Sequence, residues 1–107
     1  MFMPESMNKK IPKSFKLFAS TVEVVFDNTQ MSNESTLGTA DCYKRKITLC
    51  DTYKGEKLKK DVILESFYHE KVHMILDSMG EHNLSANEKF VEIFAMLIRQ
   101  SIETEEY

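Results

Sequence analysis

A chain of 107 residues, 42% hydrophobic and 10% aromatic, is the size of one domain and can bury a modest core without disulfides or metals to staple it. Its net charge of −3 offers no basic face to neutralise phosphates, so nucleic-acid binding is not expected. No apolar run reaches bilayer-spanning length and the N-terminal MFMPESMNKK has no leader-like stretch, so the expectation is a cytoplasmic protein without a membrane partner.

Residues 1–12 are polar and methionine-rich and are expected to be poorly ordered. Residues 14–18 alternate, residues 21–26 are rich in β-branched side chains, and Ala19-Ser20 between them reads as the turn of a hairpin. The segment 27–37, dense in Asn, Ser, Thr and Asp without apolar periodicity, predicts a surface loop. A third strand is expected over about 39–43 and a fourth over 46–50, with Ile47 and Leu49 on one face. Cys42 and Cys50 are too few for a disulfide framework and too far apart for a zinc knuckle; both are read as reduced, the alternative being that they face each other across a hairpin.

Residues 61–79 contain neither proline nor glycine and carry apolar side chains nearly all the way round, which predicts one long, largely buried helix closed by Gly80. After a short connection a second helix is expected from Ser85 towards Glu103. Strands followed by two helices predict an α+β domain: a small twisted mixed sheet of three to four strands with both helices on one face.

The long helix contains His69-Glu70-Lys71-Val72-His73. On a helix, residues four apart lie about 40° from each other and one turn displaced, so both imidazoles can reach one ion. Zinc suits such a pair, and a catalytic site needs only three protein ligands. Glu70 falls beside the pair, placed to act as general base on a water at the metal. The third ligand is expected from the second helix, where Glu88 and Glu92 lie one turn apart and periodicity does not choose between them. In the pattern Asn-Glu-x-x-x-Glu of residues 87–92, the first acid binds metal and the second holds His69 from behind. Against this, Ser85-Ala86-Asn87-Glu88 also reads as a capping box that would occupy Glu88 with the backbone of Ser85.

HEKVH followed by NEKFVE resembles the gluzincin clan of zinc metallopeptidases, and the short chain resembles its smallest members, the minigluzincins and the related ImmA/IrrE-like proteins. The resemblance implies a minimal zincin fold, Zn2+ held by His69, His73 and Glu88, Glu70 as catalytic base, and an edge strand over 39–43 that binds an extended peptide or protein substrate. It also makes possible a latent state in which the acidic tail, residues 101–107, covers the metal, against the simpler reading of a frayed helix end. The downstream domain that supplies a transition-state donor in large gluzincins has no counterpart; His82, Tyr43, Tyr53 and Tyr68 are the candidates for that role, Tyr68 pointing away into packing. The alternative to peptide-bond hydrolysis is a zinc-stabilised, non-catalytic peptide-binding or regulatory module. The oligomeric state is not readable.

Overall fold

Val22 and Val24 stand two apart along one strand with Glu23 exposed between them, and Ile47 and Leu49 stand two apart along another, where Thr48 between them is buried on the opposite face. That period of two lays their side chains on one face, where Phe67 and Met74 of the long helix meet them. The computed structural model describes residues 11–107. Their order is β1 Ser14–Leu17, β2 Ser20–Phe26, α1 Asn28–Glu34, β3 Gly38–Asp41, β4 Lys46–Leu49, β5 Thr52–Tyr53, β6 Glu56–Lys57, α2 Lys60–Ser78, α3 His82–Ser85 and α4 Glu88–Glu103. The result is an α+β fold with a mixed sheet ordered β1-β2-β4-β3, in which only β2 and β4 run parallel. No described helix is long and apolar enough to cross a membrane.

α2 is sandwiched. One side packs on the sheet, and another, through Val72 and Leu76, packs on Val91 and Ala95 of α4. Tyr68 belongs to both clusters, which is why it is turned into packing as its position on the helix predicts. Burial on two sides accounts for the apolar residues all round α2. It also corrects one expectation: α4 packs on α2 and α3 rather than lying beside α2 on the sheet.

Three further expectations change. Residues 28–34, read as loop, form α1. Asp27 caps it by accepting from the Gln30 N–H at 2.9 Å, Met31 is fully buried beneath it, and Asn28 exchanges two 3.0 Å hydrogen bonds with Asp51. One buried side chain in seven leaves no periodicity to read. The return from β4 to α2 contains the small hairpin β5–β6. The expected disorder of residues 1–12 falls, for 1–10, outside the described residues, while Ile11 packs against the core.

Cys42 and Cys50 are free, and the pairing of Gly38 with Leu49 and Asp41 with Lys46 places them beyond opposite ends of the β3–β4 hairpin. They therefore do not face each other. Gly80 ends α2 as expected, at φ 81°, with its N–H donating to Asp77 O and the Glu81 N–H donating to Leu76 O.

The β1–β2 turn is strained. Leu17 pairs with Ser20, leaving Phe18 and Ala19 as the two turn residues, both left-handed at φ 53° and 65°. That conformation favours Asn-Gly and costs an ordinary L-residue about 1–2 kcal/mol. Phe18 is 81% exposed, so its ring gives no packing in return. The double substitution Phe18→Asn with Ala19→Gly is expected to raise unfolding stability by about 1–2 kcal/mol, measured by urea denaturation; unchanged or lower stability would show that the turn is not strained.

Candidate metal centre

His69 and His73 project from adjacent turns of α2 with ring centroids 4.9 Å apart. Opposite them, Asn87 caps α4 by accepting from the Phe90 N–H at 3.1 Å, so Glu88 is the first residue of that helix. From there its Oε1 lies 3.0 Å from His69 Nε2 and 3.3 Å from His73 Nε2. The position suits an anion, because the first turn of a helix presents unpaired N–H groups. The capping box is thereby overturned: Asn87 rather than Ser85 caps the helix, and the Glu88 carboxylate turns to the histidines.

Ser85, at the end of α3, has a different task. It is buried, and its Oγ lies 3.0 Å from His73 Nδ1. When Nδ1 carries the proton and donates a hydrogen bond to Ser85 Oγ, the Nε2 lone pair is left facing Glu88 and open to a cation. No spacing rule links a serine to a histidine twelve residues before it, so the local pattern at Ser85 predicts only a helix start.

The donor set could hold a metal ion such as zinc. Ligand atoms about 2.0–2.1 Å from a tetrahedral centre stand about 3.3 Å from one another, against 3.0 and 3.3 Å here. One atom from each of His69, His73 and Glu88 falls within a 4.8 Å span. Glu92, the alternative ligand, lies one turn further along α4, exposed. It shares a cavity with His69 but makes no hydrogen bond to it among the described residues, so the behind-the-ligand role expected of it is not seen either.

The cleft over these groups is bounded by Thr36, by Gly38, Thr39 and Ala40 of β3, and by Glu70 and Asp77. Among the described residues β3 is an edge strand, paired only with β4. It comes close because Gly38 has no side chain: a Cβ there would stand 3.2 Å from Glu70 Cγ and 3.1 Å from Leu49 Cδ2. Glu70 is shielded between strand and helix. Burial, with a smaller contribution from the Glu88 carboxylate, pushes its carboxyl from 4.5 up to about 7. Lys71 points elsewhere, with its ammonium 4.8 Å from the Phe15 ring.

None of the four candidate oxyanion donors lines this cleft. His82 is 72% exposed and lies 3.2 Å from Asp77 Oδ1, Tyr43 is fully exposed at a turn, Tyr53 sits on β5 under the Lys54 ammonium, and Tyr68 is packed. No group of the C-terminal tail borders the cleft either; Glu103 is held by Arg99 at 3.1 Å. No protein-family model, curated protein or solved structure matches the chain.

A carboxyl whose folded-state value is raised holds its proton more tightly folded than unfolded, so its contribution favours folding at low pH and is lost as pH rises from about 4.5 towards 7. For the chain kept free of metal by a chelator, that loss is expected to reach about 3 kcal/mol. Glu70→Gln should remove it, so that the stability difference between variant and parent shifts by this amount between about pH 4 and 8 in urea unfolding. A constant difference across that range would mean that Glu70 is not desolvated.

Proposed function

We propose that the chain is a zinc-dependent metallopeptidase, with His69, His73 and Glu88 holding the ion and Glu70 acting as general base. The observation that carries this reading is the convergence of both Nε2 atoms on one Glu88 oxygen while the shielded Glu70 carboxyl beside them has no hydrogen-bond partner among the described residues. A carboxyl kept desolvated next to another carboxylate costs stability, and such groups concentrate at sites of chemistry. The order of elements, with strands, then the HExxH helix, then the glutamate helix, is similar to that of a minimal zincin, and the reading of the fold as one belongs to the same proposal.

Bound zinc would supply Lewis acidity, polarising a carbonyl and easing the deprotonation of water. The chain's own residues do the rest. Ser85 fixes the His73 ring, and the start of α4 delivers Glu88. β3 offers an unpaired strand edge along which an extended peptide can lie, bringing a carbonyl over the histidines. Glu70 takes a proton from the attacking water as its oxygen bonds to the carbonyl carbon, then gives that proton to the nitrogen as the C–N bond breaks. A bound cation would draw the Glu70 carboxyl down from its metal-free value towards the range where it is ionised at neutral pH.

Zinc titration of the metal-free protein tests the ligand set. Glu88→Gln should cost the most affinity and Glu92→Gln little, while Ser85→Ala should weaken binding about 10–100-fold by freeing the His73 ring. A larger loss for Glu92→Gln would exchange the two glutamates, and absence of tight binding by the parent would leave a plain His–Glu hydrogen-bonded cluster. Chemistry is tested separately. Glu70→Gln is expected to retain zinc and to lose peptide hydrolysis by about 100-fold or more, read on a quenched-fluorescence peptide library; equal activity in parent and variant would remove Glu70 from the mechanism, and zinc binding without turnover in the parent would favour the non-catalytic peptide-binding module.

A further inference from the structure

α4 is apolar on two sides, and among the described residues only one of them is covered. Val91 and Ala95 pack inward on α2. Phe90, Ile93, Phe94 and Leu97 recur at the spacing i, i+3, i+4, i+7 and form a second stripe that, with Asn87 and Lys89, encloses a hollow of about 350 Å³. Phe90 and Phe94 stack with ring centroids 5.6 Å apart. Ile93, Phe94 and Leu97 are 49%, 40% and 58% exposed, and Met96 on the flank is 56% exposed. With each such side chain offering on the order of 200 Å², the contiguous apolar surface is roughly 400 Å², as large as monomers carry without a functional reason.

We propose that this stripe is the contact through which two copies of the chain associate, with their α4 helices antiparallel about a two-fold axis. Two observations select a second copy as the occupant. The area is close to the apolar centre of a homodimer interface of about 800 Å² per partner. The charges left over along α4 are also self-complementary: Glu88 is turned to the histidines, Glu92 lines the cavity beside His69 and Glu103 is paired with Arg99, which leaves Lys89 at one end of the stripe and Glu105 and Glu106 beyond the other. Antiparallel pairing brings each lysine towards the acidic end of the other copy and opposes the helix dipoles, whereas parallel pairing would set like charges together. A two-fold contact is isologous, so one stripe serves both copies. Glu88 faces α2 from another side of the helix, so the cleft stays open in the dimer. The proposal stands independently of the metallopeptidase reading.

The test is sedimentation equilibrium on the full chain from about 1 to 100 µM. The expected species has twice the 12.5 kDa chain mass. Phe94→Glu and, separately, Leu97→Glu should raise the dimer dissociation constant about 100-fold or more, and Lys89→Glu about 5- to 10-fold with loss of the salt sensitivity expected of the parent. Circular dichroism and melting establish that the variants are folded. Leu97→Ser, a milder change at the same exposed position, must shift dissociation in the same direction. A monomer throughout the concentration range overturns the proposal, as does a dimer unaffected by the substitutions at 94 and 97. Dimerisation that appears only after removal of residues 1–10 would overturn it too, because that segment would then be what covers the stripe in the intact chain.

Discussion

α2 must satisfy three neighbours with 19 residues, and the rest of the molecule follows from how it does so. Phe67 and Met74, seven apart, serve the sheet, while Val72 and Leu76, four apart, serve α4. The remaining side is left to His69, Glu70 and His73, which border the cleft. Burying a side chain such as Met74 or Leu76 contributes about 1.5–3 kcal/mol each. Withdrawing polar groups from water costs a comparable amount unless they find partners. Glu88 and Ser85 supply such partners to the histidines, Ser85 from a buried position and Glu88 from one that is 68% exposed. α3 and α4 are thus joined to α2 by polar contacts as well as by packing.

The join is satisfied in two ways. Without metal, the Glu88 oxygen can accept hydrogen bonds from both Nε2–H groups while the Ser85 hydroxyl donates to His73 Nδ1; a cation held by these residues would need the His73 proton on Nδ1, from which Ser85 Oγ would accept a hydrogen bond. The serine hydroxyl serves both states by rotating. Ion binding would add stability in proportion to the logarithm of the ion's concentration over its dissociation constant. Glu70 stands outside this exchange. It is shielded by the close approach of Gly38 and draws no stabilising hydrogen bond from the described residues.

Much of this was legible before the structure. The four strands of the sheet and α2 follow from local patterns, since alternation, β-branching and the absence of helix breakers act within a few residues. The placement of His69 and His73 on one face follows from helical geometry alone. What escaped the sequence depends on contacts between distant segments. α1 forms around a single buried methionine, Met31, and a pair of hydrogen bonds to Asp51. The choice between two overlapping caps, Ser85 or Asn87, was decided by what else each side chain could reach: His73 for Ser85, and the Phe90 N–H for Asn87. The position of α4, on α2 rather than on the sheet, reflects how much of α2 was left uncovered, which no single segment encodes.

The shortness of β3 limits what its open edge can hold. Four residues extend about 13 Å, and alternate residues of a strand direct their N–H and C=O to the same side, so only two residues present main-chain groups outward. They offer at most four hydrogen bonds to a chain laid alongside, together worth about 2–6 kcal/mol net. Ordering four residues of a flexible chain costs about 4–8 kcal/mol. Main-chain pairing therefore sets direction and register but leaves no surplus, and any affinity an extended ligand has for this cleft has to come from its side chains or from the polar cluster beneath them.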